Sequence, residues 1–151
     1  MKTVLIVEDE KMIRQGIKTM VQRSGVPVEI IMECNNGQMA LEILKNQDVD
    51  VMFTDICMPK MDGIGVLERL NMRQEDGKPQ VIVVSAVNQE SVTEQTFRLG
   101  AAYYVLKPFD SRVLVGRVRD VMEAERLAAC KPGKVINTVF ENRVRRREDQ
   151  L

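Results

Sequence analysis

The chain predicts a doubly wound α/β fold, with five β-α repeats building one open parallel sheet in the strand order 2-1-3-4-5 and helices on both faces. Three observations predict it. Short apolar runs alternate with amphipathic stretches from the first residues to about Arg126. Turn-forming residues fall between the two kinds of segment. Polar and charged residues collect just beyond the apolar runs, where an open α/β sheet binds its ligands.

The apolar runs at residues 4–7, 28–32, 49–53, 81–84 and 103–106 are nearly continuous and rich in β-branched side chains, as expected of parallel strands buried on both faces. After the first run, Met12, Ile13, Ile17, Met20 and Val21 mark one face of a helix. Leu41 with Leu44, and then Ile64, Leu67 and Leu70, supply the second and third helices. Residues 89–99 are polar except for Val92, Phe97 and Leu99, which predicts a loosely docked fourth helix. Val113, Leu114, Val118, Val121 and Met122 repeat the spacing of the first helix. Ser24-Gly25-Val26-Pro27, Asn35-Asn36-Gly37, Asp62-Gly63 and Asp76-Gly77-Lys78-Pro79 punctuate these elements. Asp62 and Asp110 each precede a helical pattern and are expected to cap it.

Composition bounds the function. At 151 residues and 44% hydrophobic content, one ordinary domain with a buried core is expected over residues 1–127, with 128–151 as a linker or helical extension. Lys and Arg total 22 against 22 for Asp and Glu, so no global field favours nucleic acid or anionic membrane. No apolar run approaches the ~18 residues that span a bilayer. Glu8-Asp9-Glu10 directly after the first apolar run is wrong for a signal peptide, so a cytoplasmic protein is expected. The absence of histidine excludes Ser-His-Asp and Cys-His catalysis, His-based zinc sites and phosphorylation on a histidine of this chain. Cys34, Cys57 and Cys130 are too few and too scattered for a zinc cage or a disulfide framework, and are read as reduced thiols.

The residues that end each strand are the informative ones. Glu8 and Asp9 follow the first run, Asp55 the third, Ser85 the fourth, and Lys107-Pro108 the fifth. In the order 2-1-3-4-5, which is the flavodoxin-like (βα)5 order, strands one and three are neighbours. Glu8, Asp9 and Asp55 then share one small cleft, with Ser85 and Lys107 on its other side. Clustered carboxylates repel unless a cation neutralises them, and oxygen-only donors select a hard ion, for which Mg²⁺ fits best. Lys107 adds a point charge and Ser85 a hydroxyl. Together they make a site for a phosphoryl group, with a carboxylate as its acceptor. Each of these residues alone reads equally as a solvated loop or turn residue; their common placement at strand ends carries the functional reading.

The motifs Val4-Leu5-Ile6-Val7-Glu8-Asp9-Glu10, Thr54-Asp55-Ile56-Cys57-Met58-Pro59-Lys60-Met61-Asp62-Gly63, Val83-Val84-Ser85-Ala86 and Leu106-Lys107-Pro108-Phe109 resemble those of the receiver domains of two-component response regulators, over Lys2 to about Glu125. The resemblance implies that Asp55 accepts a phosphoryl group from a histidine kinase or phosphotransfer protein. It implies that Glu8, Asp9, Asp55 and the backbone carbonyl of Cys57 hold Mg²⁺, or Mn²⁺ in its place, and that Ser85 and Lys107 contact the phosphoryl oxygens. It further implies a switch role for Tyr104, a cis peptide before Pro108, and a helix 4–strand 5–helix 5 face that changes on phosphorylation to control an output, transcription above all, with homodimerisation as one consequence. No metabolic catalysis follows beyond the domain's own phosphorylation and dephosphorylation. Two departures stand out: Glu8 where Asp is more frequent, and Cys57 two residues after the acceptor. Residues 100–110 are more narrowly similar to sporulation master regulators of spore-forming bacteria, whereas the first half is equally similar to receivers attached to other DNA-binding outputs.

Beyond Lys131-Pro132-Gly133-Lys134, a helically spaced apolar set leads to Arg145-Arg146-Arg147. Adjacent acids offset this basic run, so a solvated linker is expected, and DNA contact only through an output domain absent from these residues. A stand-alone receiver acting as a phosphorylation-controlled interaction module is the alternative. Two further classes fail on single residues. A phosphatase of the Asp-x-Asp type needs a carboxylate where Cys57 stands, and a flavin carrier needs a phosphate loop where Glu8-Asp9-Glu10 would repel it.

Overall fold

The computed structural model describes residues 2–72 and 78–126. Its elements are β1 (Lys2–Val7), α1 (Lys11–Arg23), β2 (Val28–Cys34), α2 (Gly37–Asn46), β3 (Val51–Thr54), α3 (Gly63–Asn71), β4 (Gln80–Ser85), α4 (Glu90–Arg98), β5 (Tyr103–Leu106) and α5 (Ser111–Arg126). The strands form one parallel sheet in the order β2-β1-β3-β4-β5, so the expected doubly wound architecture is the observed one. The turn expected at Asp76-Gly77, Cys130 and the whole 128–151 extension lie outside the described residues.

The three middle strands carry the core. Val4 to Val7, all of β3, and Val81 to Ser85 are buried, because helices cover both faces of the sheet there. β2 departs from the expectation of burial on both faces. It is an edge strand with one neighbour, and Ile30 on it is 44% exposed. α1 shows a second departure. Ile17 and Val21 are buried, while Met12 is 88% exposed, since it lies about 100° around the helix from Ile13.

α4 meets the core differently from the way its apolar residues suggested. Thr93 and Thr96 are its fully buried residues, whereas Val92 and Phe97 are only partly covered. Each threonine hydroxyl donates to the helix's own backbone, Thr93 Oγ1 to the Gln89 carbonyl at 3.1 Å and Thr96 Oγ1 to the Thr93 carbonyl at 2.7 Å. Satisfied in this way, a hydroxyl can be buried at little cost.

Asp62 caps α3 by accepting from the Gly65 amide at 2.8 Å, and Asp110 caps α5 by accepting from the Arg112 amide at 2.8 Å, both as expected. Asn36 caps α2 through the Met39 amide at 2.9 Å, a role beyond the turn read for it. The loop from β3 to α3 holds two non-glycine residues in the left-handed region, Lys60 at φ 48° and Met61 at φ 80°. Their carbonyls accept from the first amides of α2, Gln38 to Lys60 at 3.0 Å and Gly37 to Met61 at 3.2 Å. These bonds satisfy helix-end donors that have no partner within α2.

The left-handed backbone at Lys60 costs roughly 1–2 kcal/mol, more than the roughly 0.4–1 kcal/mol by which glycine's freedom would favour the unfolded chain. Lys60→Gly is therefore expected to raise stability by about 0.5 kcal/mol, read as a higher urea midpoint. A lowered midpoint would reject the strain.

Candidate functional site

The strand register builds the site. Val7 pairs with Thr54 and Thr54 with Val83, so the chains of β1, β3 and β4 leave the sheet level with one another. Glu8 and Asp55 emerge side by side, with the Asp55 amide donating to the Val7 carbonyl at 3.2 Å. Ser85 ends β4, and its carbonyl accepts from the Lys107 amide at 2.8 Å, which holds the lysine at the same edge. The Lys107–Pro108 peptide is cis.

Lys107 then joins the two acids. Its Nζ donates to Glu8 Oε1 at 2.5 Å and to Asp55 Oδ2 at 2.8 Å. The other oxygen of Asp55 accepts from the amides of Ile56 at 2.6 Å and Cys57 at 3.3 Å. Glu8 Oε2, in contrast, is buried with no hydrogen-bond partner. Asp9 is exposed at the rim, yet carboxylate oxygens of Glu8, Asp9 and Asp55 all lie within 4.8 Å of one another. The loop beyond Asp55 closes tightly: the Gly63 amide donates to the Ile56 carbonyl at 2.9 Å, and a Cβ on Gly63 would collide with the Asp55 carbonyl oxygen. Glycine is required there by the close approach of two backbones.

The electrostatics differ between the two buried acids. Burial pushes the Glu8 carboxyl up to about 7, against the opposing pull of its bond to Lys107. Burial also acts to raise Asp55, but its hydrogen bond to Lys107 and that cation's charge outweigh it, and the carboxyl lies below its ordinary value. Lys107 is itself raised: burial acts against its charge, but the bonds to Asp55 and Glu8 prevail. The unequal acids have a simple cause. Burial prevails at Glu8, whereas at Asp55 the bond to Lys107 and that cation's charge prevail, with a further contribution from the Ser85 side chain. A hard divalent cation fits these residues, since the donors are all oxygen and one of them is a buried oxygen without a partner.

A second cluster adjoins the first. The Val87 amide donates to Ser85 Oγ at 3.2 Å, and the Val87 carbonyl accepts from the buried Tyr104 hydroxyl at 2.5 Å. Ser85 and Tyr104 are thus linked through the backbone of one residue, Val87. Val87 carries no polar side chain, so nothing in the sequence pointed to it. The exposed Cys57 touches Asp55 through its amide.

A family model for the response regulator receiver domain matches residues 4–119. The chain belongs to the response regulator receiver domains.

Solved structures agree. The signal receiver domain of the response regulator NarL from Mycobacterium tuberculosis is 29% identical, with a TM-score of 0.70 over 79% of this chain and 94% of that one. A DNA-binding response regulator of the LuxR family from Staphylococcus aureus is 27% identical, with a TM-score of 0.70 over 80% of this chain and 98% of that one. The chemotaxis response regulator CheY4 of Vibrio cholerae is 25% identical, with a TM-score of 0.69 over 80% of this chain and 98% of that one. These findings support the receiver family and lend no support to the narrower sporulation type. Receiver domains are signalling modules rather than metabolic enzymes. They generally bind Mg²⁺ in an acidic pocket and interact with histidine kinases or phosphotransfer proteins. Among the described residues of this receiver, no helix is long and apolar enough to cross a membrane.

The raised Glu8 carboxyl sets the sign of a pH dependence for any cation that would use it. That carboxyl titrates at about 7 in the folded receiver and at 4.5 in an unfolded chain, so between these values the folded protein holds a proton that the unfolded one has released. Ionising Glu8 therefore lowers stability as pH rises through that window, while a cation that needs the carboxylate competes with the proton below it. Mg²⁺ affinity is expected to fall ~tenfold from about pH 8 to about pH 6, measured by calorimetric titration. Equal affinities at the two values would reject the protonated Glu8.

Proposed function

We propose that Asp55 is the phosphoacceptor of this receiver and takes its phosphoryl group from a phosphohistidine on a kinase or phosphotransfer protein. The observation that carries this reading is the asymmetry around its carboxylate. Asp55 is ionised, with Oδ1 oriented by two backbone amides and Oδ2 set on Lys107. A carboxylate oxygen attacks phosphorus, the phosphorus–nitrogen bond of the donor breaks, and the imidazole leaves with the electron pair and takes up a proton. The product is an acyl phosphate. The 151 residues hold no histidine, so a phosphohistidine donor lies outside them.

Glu8, Asp9, Asp55 and the Cys57 carbonyl are the proposed ligands of Mg²⁺, with Mn²⁺ as a substitute. When bound, the ion would offset charge on the phosphoryl oxygens. Lys107 contributes its ammonium to the same oxygens, and Ser85 its hydroxyl. The new group brings roughly −1.5 to −2 charge to the strand ends. Ser85 turning towards it gives up the Val87 amide, and the strain passes through Val87 to the Tyr104 hydroxyl. The face formed by α4, β5 and α5 is the proposed output surface.

Transcription is the proposed output, supported by the likeness to a regulator described as DNA-binding. DNA would then be reached through a separate output domain, with residues 1–127 as the receiver and 128–151 as a linker or helical extension. The likeness to a chemotaxis regulator supports a second reading, a stand-alone receiver that controls a protein partner. Either output places the protein in the cytoplasm, and homodimerisation on phosphorylation belongs to the first.

Intact mass after incubation with acetyl phosphate tests the acceptor. A Mg²⁺-dependent, alkali-labile phosphate adduct is expected on the native chain and is expected to vanish in Asp55→Asn; full modification of that variant would sink the assignment. Lys107→Ala is expected to accept phosphate while losing the response of the output face. Hydrogen exchange across α4, β5 and α5 checks this: protection that shifts on phosphorylation as in the native chain would reject the role of Lys107.

A further inference from the structure

We infer that Arg14, held by Glu33, is a positioning residue for the acidic cleft: it fixes the β1–α1 junction that carries Glu8 and Asp9, and thereby sets Mg²⁺ affinity. This rests on the reading of Glu8 and Asp9 as metal ligands. The junction needs such a device because local capping does not supply one. Glu10 stands at the N-cap of α1 with no side-chain cap hydrogen bond, and the first turn holds no acidic residue. Two of the three clustered carboxylates therefore sit on a short connection that no side-chain cap holds.

Arg14 supplies the anchor from one turn further on. Its Nη1 donates to the Glu8 carbonyl at 2.8 Å, and its amide donates to the Glu10 carbonyl at 3.0 Å. The Glu8 amide is already tied to the Cys34 carbonyl at 3.1 Å, so both sides of the Glu8 backbone are held. Arg14 cannot swing away, because its Nε pairs with Glu33 Oε1 at 3.3 Å and the side chain is 17% exposed. Glu33 in turn lies on β2 and is gripped by Gln15 at 2.9 Å and Lys18 at 3.3 Å, both on α1. A planar guanidinium can serve two acceptors in fixed directions at once, which a lysine ammonium does poorly on this scale.

The arrangement also assigns the donors of Glu8. Its carbonyl oxygen is occupied by Arg14, and the oxygen without a partner is Oε2 of its side chain. Glu8 is one methylene longer than aspartate, so its carboxylate depends more on where the backbone is held. Fixing the backbone removes one source of that freedom. Outer groups that orient a metal ligand typically change affinity by about 10–100-fold when removed.

The test compares the full 151-residue chain with Arg14→Ala, Arg14→Lys and Glu33→Gln. Mg²⁺ affinity is measured by calorimetry, folding by circular dichroism, and the acetyl phosphate rate over a range of Mg²⁺. Arg14→Ala is expected to bind Mg²⁺ about tenfold more weakly and to recover its phosphorylation rate at saturating Mg²⁺, with Arg14→Lys and Glu33→Gln in between. A folded Arg14→Ala with unchanged Mg²⁺ affinity would overturn the inference. If Arg14→Ala does not fold, Glu33→Gln decides: weaker binding supports the tether and unchanged binding overturns it. Native chain that binds Mg²⁺ but forms no adduct removes the acceptor reading alone; native chain that binds no Mg²⁺ removes both.

Discussion

One lysine shared by two buried carboxylates is the interaction around which this receiver is arranged. Lys107 comes from the end of β5, Glu8 from the end of β1 and Asp55 from the end of β3, so the contact exists only when three strands are in register. Burying three ionisable groups is expensive, and such a cluster is a poor source of stability in its own right. The cost is tolerated here because each group is left ready for something else. Asp55 stays ionised, and Glu8 keeps an oxygen without a partner. Lys107 holds the two acids together.

The surrounding loops maintain this state without large side chains. The β3–α3 loop carries Asp55 at one end and Gly63 at the other, and passes close enough that no Cβ fits between them. Its two left-handed residues turn their carbonyls to the first amides of α2, which joins the loop after Asp55 to that helix. On the opposite side, the Val87 peptide joins Ser85 to Tyr104, and the neighbouring helix α4 rests on threonines that satisfy their own hydroxyls. Such a contact has less apolar area to lose on moving than one made by leucine or phenylalanine. The acidic side of the cleft is thus pinned by backbone bonds and Arg14, while the Ser85 side is joined to Tyr104 through the Val87 backbone.

Much of the fold and most of the site were legible in the order of residue types. Continuous β-branched runs at regular spacing implied a parallel sheet, and the residues after those runs implied a cleft of Glu8, Asp9, Asp55, Ser85 and Lys107. This worked because strand ends in a doubly wound sheet converge whatever the loops do. The reading was less accurate where tertiary context overrules local pattern. β2 looked like a buried strand, but its place at the edge leaves Ile30 exposed. Met12 looked like a core residue, but its angle on α1 turns it to solvent. For α4, the few apolar residues indicated a loosely docked helix, but not that its buried face is made by threonines.

The sequence by itself determined which chemical groups stand at each strand end, because the alternation of apolar and polar residues follows directly from the periods of strand and helix. It also determined that a phosphohistidine donor lies outside these 151 residues. Only the tertiary structure decided how the groups divide their roles. The inequality of Glu8 and Asp55 comes from the balance of burial against the bond to Lys107 at each acid, and that balance leaves no mark on composition or spacing. The parts played by Arg14 and Val87 were equally hidden. Both act through a peptide group, which every residue has, so their importance depends on where the folded chain places that group.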